Sequence, residues 1–293
     1  MVIVTYLAII LATVTQSASA KLFNRRSGNA SLFNLIKAVT AAALFALPAI
    51  GGFDFHLPTL LSGLAYGACQ CASMYMGYRA LCLGPMALTS MLVSFSVAIP
   101  LLWGLTVGKE HLTAFRLLGL VLLLGAMILT NADKLLHQPK GGERSAGAEG
   151  GRYGLWLFFV GGTFLCNGAA SILQKLHQSH YPEAYTHEFM LFAMILCAIV
   201  FSALSLRGHP LTRMKNEKGK RFGVLAGIAM GLTNFLTLTL AGLENASVLF
   251  PMISAGTLLG ALLCGRLIFR EGLKINHYIA LVLGISAVVL LKL

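Results

Sequence analysis

The chain is expected to be an all-α integral membrane protein, with ten transmembrane helices arranged as two inverted five-helix repeats. Three observations lead there. Ten strongly apolar segments, each about 20 residues long and ended by glycine, proline or charge, account for almost all of the 293 residues. The composition is 57% hydrophobic and 11% charged, with mean hydropathy +0.79, so no soluble domain is left over. A pattern of glycines followed by a side-chain amide recurs in the third and eighth segments. An uncharged apolar run of about 18 residues or more, rising about 1.5 Å per residue, matches a bilayer core of about 30 Å.

In order, the spans are 2–20, 31–50, 58–80, 84–107 and 113–131, then 153–175, 184–206, 221–242, 246–269 and 276–292. The first ends Ala18-Ser19-Ala20 before Lys21, which mimics a signal cleavage site. It lacks a basic leader, and Thr5, Thr13, Gln16 and Ala20 share one helical face, so a retained, packed helix is expected. The second span carries Lys37, and the seventh carries Glu188, the one acid inside any span. Between the halves, 132–152 is a polar linker containing Pro139, Gly141, Gly142, Glu143, Arg144, Glu149 and Arg152. The domains are therefore 1–131, the linker 132–152, and 153–293.

The repeat signal lies in Gly63, Gly67 and Gln70 of the third span and Gly227, Gly231 and Asn234 of the eighth. At those spacings the glycines and the amide share a face, and small residues let helices approach closely. Segment four ends Gly108-Lys109-Glu110 and segment nine ends Phe269-Arg270-Glu271, while Lys21 and Lys175 close segments one and six. With five helices per half, the halves must lie in opposite orientation, as in many secondary transporters.

Net charge is +12, but the basic residues lie between apolar spans, where they set orientation and meet lipid headgroups, so no nucleic acid is expected as a partner. Loops after odd-numbered spans hold 17 of the 22 lysines and arginines, the opposite side holds Lys109, Arg116, Lys175 and Lys292, and Lys37 is intramembrane. By that count both termini lie outside a cell membrane that the chain crosses many times. The six cysteines lie in or at the ends of apolar spans and read as small hydrophobes rather than disulfides.

The run from Pro251-Met-Ile-Ser254 to Phe269-Arg270-Glu271 before the last helix, and its first-half version from Ala87 to Pro100 and on to Gly108-Lys109-Glu110, resemble the EamA-like branch of the drug/metabolite transporter superfamily. The resemblance covers nearly the whole chain. It implies two five-helix repeats, export of amino acids or other small metabolites, and termini in the cytoplasm, the reverse of the charge count.

Lys37 is the sharpest candidate for substrate binding, because an ionisable residue inside a span costs about 2.5–3.5 kcal/mol at mid-bilayer and faces protein or water. Its long stem also allows it to snorkel to headgroups. Gln70 and Asn234, at matching places, offer paired hydrogen bonds to one ligand, or glue between helices. Gln16, Tyr78, Ser94, Asn167 and Ser254 join the substrate-binding set, with Tyr75, Ser90 and Thr237 as weaker members. Glu110 and Glu271 read as helix caps. The acid-poor pathway with Lys37 favours a neutral, zwitterionic or anionic solute.

No nucleophile elbow, zinc-binding histidine pair or phosphate-binding glycine loop is present, so neither catalysis nor a cofactor is expected. His177, His180, Glu183, His187 and Glu188 are metal-ligand types at irregular spacing, and read as a solvated loop rather than a metal site. The expected activity is alternating-access transport of a small organic metabolite by a monomer in the bilayer, with a coupling proton left open. The alternative from another class is a translocator of a lipid-linked substrate or a non-transporting accessory subunit.

Overall fold

The computed structural model describes residues 2–24, 30–49, 51–83, 92–93, 95–109, 113–136, 146–181, 184–208, 219–268 and 275–292. The described residues form ten α-helices and no strands. These are α1 (Val2–Asn24), α2 (Ala30–Ala49), α3 (Leu57–Leu83), α4 (Ala98–Thr106), α5 (Ala114–Leu136), α6 (Ala146–His180), α7 (Thr186–Gly208), α8 (Lys220–Leu243), α9 (Ala246–Leu267) and α10 (Ile275–Lys292). Six of them, α1, α2, α6, α7, α8 and α9, are long and apolar enough to cross a membrane, and α5, α10 and the segment Phe95–Thr106 form shorter apolar helices. Helix α3 is long but carries Thr59, Ser62, Gln70 and Ser73 within its apolar run.

Helix also enters the expected polar linker from both sides, through Leu136 and from Ala146. Extending a helix already nucleated in an apolar span adds one hydrogen bond per residue fixed, so polar flanks are readily recruited.

The chain divides into two compact units, each drawing on both halves of the sequence. One comprises residues 1–71 and 173–244, the other 72–172 and 245–293. In the first, α1 packs along α8, α2 packs along α7, and α8 packs on α2. Phe23, Leu32, Phe33 and Ala226 bury one of its cores, with the Phe23 and Phe33 rings 5.1 Å apart. Along α1, Ile3, Val4, Leu7 and Leu11 are exposed while Tyr6, Ile9 and Ala12 are buried. An outer face more apolar than the packed one suits hydrocarbon as solvent.

In the second unit α5 packs along α10, and α9 packs against α10, α4 and α5. Leu123, Met127, Ala255 and Ala287 form its main core, and Ala80, Trp156 and Val160 join α3 to α6. Hydroxyls inside the helices are satisfied locally: Thr13 donates to Ile9 O (2.8 Å), Thr163 to Phe159 O (2.8 Å) and Thr239 to Phe235 O (3.0 Å). Where water is absent, this back-bonding meets the hydroxyl's need for a partner.

Candidate functional site

Polar side chains gather at one end of the first unit, where α6 finishes, α7 begins and α8 nears its last turn. A cavity of about 390 Å³ lies there, lined by Gln178, Tyr185, Thr186, His187, Glu188, Phe235 and Thr239. Its position follows from the chain path: α6 stops at His180, and α7 starts at Thr186, directly after Tyr185. Phe235 and Thr239 are one helical turn apart and face the same space from α8.

The turn is held by aromatic and imidazole rings. Tyr185 has φ 52°, a left-handed conformation that costs a non-glycine residue about 1–2 kcal/mol. What offsets it is stacking on His56 at 4.5 Å with rings 9° apart, a hydroxyl donating to Asp54, and a carbonyl accepting from Phe189 N at 3.0 Å. Strain held against a cavity wall is a mark of function-bearing backbone. Below it, Thr59 Oγ1 lies 3.0 Å from His56 Nδ1 and 3.3 Å from His177 Nε2, and the His177 ring packs on Phe189 at 4.3 Å. Replacing Thr59 by valine keeps the volume and strands the buried His177 Nε2. A stability loss of about 1–3 kcal/mol is expected by thermal melting, with Thr59→Ser restoring most of it.

Within the cavity wall, Gln178 Nε2 donates to Thr186 Oγ1 at 3.2 Å. The His187 ring stacks on Phe235 at 5.3 Å, and its buried Nδ1 has no partner. Glu188 is 7% exposed and, among the described residues, no hydrogen-bond donor or cation pairs with its carboxylate. Among the described residues, no lysine or arginine lines the cavity. Lys175, one turn before Gln178, donates instead to Ala241 O (2.8 Å) and Glu244 O (2.6 Å) at the end of α8. No group of three histidine, cysteine, aspartate or glutamate residues that would hold a metal ion occurs among the described residues.

Of the eight residues singled out for substrate binding, the six with described side chains, Lys37, Gln70, Asn234, Gln16, Asn167 and Ser254, are not among those that line this cavity. Lys37 is buried in α2, seven residues from its start and so about 10 Å in, with its ammonium 5.7 Å from the centre of the Phe33 ring. That is the end of α2 away from the cavity, because its other end leads through residues 51–56 to His56 and Tyr185. Gln70 and Asn234 are partly buried in α3 and α8, Asn234 with its Nδ2 buried and unpartnered. Gln16 is partly buried in α1. In the second unit, Asn167 accepts a 2.5 Å hydrogen bond from Ser73, and Ser254 is partly buried in α9. The side chain of Tyr78, and Ser90, Ser94, Glu110, Glu183 and Glu271, lie outside the described residues. Tyr185, Thr186, Phe235 and Thr239 were not anticipated. Glu188 carried the one usable signal, an acid within a span.

Compared with known proteins, no family model and no curated protein matches the sequence. Among solved structures 29 chains match. One crystal structure superimposes with TM-score 0.77 at 12% sequence identity, covering 98% of this chain and 94% of that one. The likeness is one of fold.

Proposed function

We propose that the chain is a secondary transmembrane transporter of a small organic solute, built as two inverted five-helix repeats of the drug/metabolite transporter type. The observation that carries this reading is the cavity of about 390 Å³ walled by a carboxylate, an amide and hydroxyls, set among helices long and apolar enough to cross a membrane. Polar groups held in such surroundings mark a solute pathway.

The glycine ladders support the repeat. A Cβ built on Gly63 would lie 2.8 Å from Phe189 O and 3.2 Å from Phe192 Cβ, and one on Gly227 would lie 2.8 Å from Lys37 O and 2.5 Å from Thr40 Cβ. One helical turn on, Gly67 meets the backbone of Ala193, and Gly231 approaches Ala41. Thus Phe189, Phe192 and Ala193 of α7 stand to α3 as Lys37, Thr40 and Ala41 of α2 stand to α8. The pairings α2 with α7, α4 with α9 and α5 with α10 each join helices five apart, as a two-fold relation between halves requires.

The basic-residue count assigns the α6–α7 turn, and with it the cavity, to the outer face of a cell membrane. Export is what the family resemblance implies. Lys37, on which the preference for an uncharged or anionic solute rested, is remote from the cavity, so the cavity's own chemistry decides the solute.

The test is counterflow in proteoliposomes loaded with amino acids, amines or organic acids. Saturable flux of one class, abolished by Thr239→Trp filling the cavity, is the expected result. Protein-dependent movement of lipid without flux of any soluble class would replace this reading with the lipid-translocator one.

A further inference from the structure

We propose that the cavity binds an organic ammonium group, a primary or quaternary amine on an apolar body. The proposal takes its purpose from the transport reading above, and its geometry from Glu188.

A first-turn glutamate has an ordinary role, meeting the exposed N–H groups and positive dipole end of its helix. That role is served at a helix end open to water. Glu188 is instead more than nine-tenths buried against a cavity, without a cation or donor among the described residues. A carboxylate that lines a cavity without a partner is stabilised by a counter-charge that enters it. The other wall groups agree. His187 presents a buried, unpartnered Nδ1, which accepts an N–H in the tautomer that carries its proton on Nε2. Tyr185 and Phe235, each with one ring face covered by an imidazole, line the same space, and the face left over attracts positive charge. An anionic ligand would place a second negative charge beside Glu188 with no lysine or arginine among the described wall residues. The volume falls within the range of about 300–1,000 Å³ usual for small-molecule sites.

The test is thermal melting of the purified full chain in detergent with benzylamine, benzyltrimethylammonium, benzyl alcohol and benzoate, four probes of one ring and different head groups. The two cations are expected to raise the melting temperature and benzoate to leave it unchanged. Glu188→Gln is expected to melt no lower than wild type without ligand, since the amide keeps the side chain's size and no hydrogen bond or ion pair among the described residues is lost. It should weaken benzylamine binding at least about tenfold, which is about 1.4 kcal/mol. If that variant does not fold, Phe235→Leu serves: it keeps the apolar volume and should weaken benzyltrimethylammonium selectively. Stabilisation by benzoate equal to that by the amines, an undiminished amine response in Glu188→Gln, or no response of wild type to either cation would each overturn the assignment. Flux measurements separate the two ideas. Amine binding without amine flux leaves the site standing and removes the transporter, whereas flux of carboxylates without amine binding does the reverse.

Discussion

Gly67→Ala is expected to lower the stability of the folded chain by about 1–3 kcal/mol, although it adds a single methyl group to a helix. The new Cβ would lie 2.8 Å from Ala193 O and 2.9 Å from Ala193 Cα, and neither atom can rotate away. Helices α3 and α7 must separate, which also breaks the contact of 3.6 Å between Cys197 Sγ and Gly67 O. Gly227→Ala should act likewise between α8 and α2, where Lys37 O and Thr40 Cβ occupy the space. Gly161→Ala is the control, because nothing lies within 4 Å of its added Cβ. There the better helix propensity of alanine should leave stability unchanged or raise it by up to about 1 kcal/mol. Melting of the three variants in detergent checks the order. Equal melting temperatures for Gly67→Ala and Gly161→Ala would show that α3 and α7 do not need backbone contact. Because α7 carries Glu188 one residue before Phe189, which faces Gly63, the same displacement should weaken ligand binding at the cavity.

The helices were legible because the length and apolarity that would let a helix cross a bilayer are written residue by residue along the chain. The glycine faces of α3 and α8 were legible for the same local reason, although their partners were not: that they meet α7 and α2 is a tertiary fact. The fourth span shows the limit differently. Its expected range was 84–107, while the described helix is Ala98–Thr106, preceded by a 3-10 turn at Phe95–Val97, and 84–91 and 94 lie outside the described residues. Asn167 was read as a ligand for substrate and is held by Ser73, which is what a polar side chain between helices does when no water is near. The cavity was the least legible feature. Its residues come from the end of one helix, the start of the next and the inner face of a third, and neither Thr186 nor Phe235 differs in sequence from many others. Tyr185 could not have been recognised either, since its left-handed backbone is set by the turn and by His56, not by residue type.

Lys175 was expected to anchor at the interface or to charge a pathway mouth, and its contacts give it a different task with a large predicted effect. The last carbonyls of a helix have no partner within it, and at the end of α8 Lys175 Nζ serves both Ala241 O and Glu244 O. A cation there also opposes the negative end of the helix dipole. Lys175→Met keeps the apolar stem and removes both charge-assisted bonds, each worth about 1.5–3 kcal/mol, so a loss of about 2–4 kcal/mol is expected after partial rehydration of the carbonyls. The loss should be local. Amide exchange over Leu238 to Leu243 should accelerate in the variant while α5 and α10, in the other unit, keep their protection. Lys175→Arg, which can still donate twice, should recover part of it. Phe235 and Thr239 lie in the two turns before this cap, so fraying of α8 loosens one wall of the cavity and should weaken benzylamine binding without touching Glu188. Unchanged exchange in the last turns of α8 would mean that the carbonyls find other donors, and that Lys175 is the interfacial anchor its position in the sequence suggests.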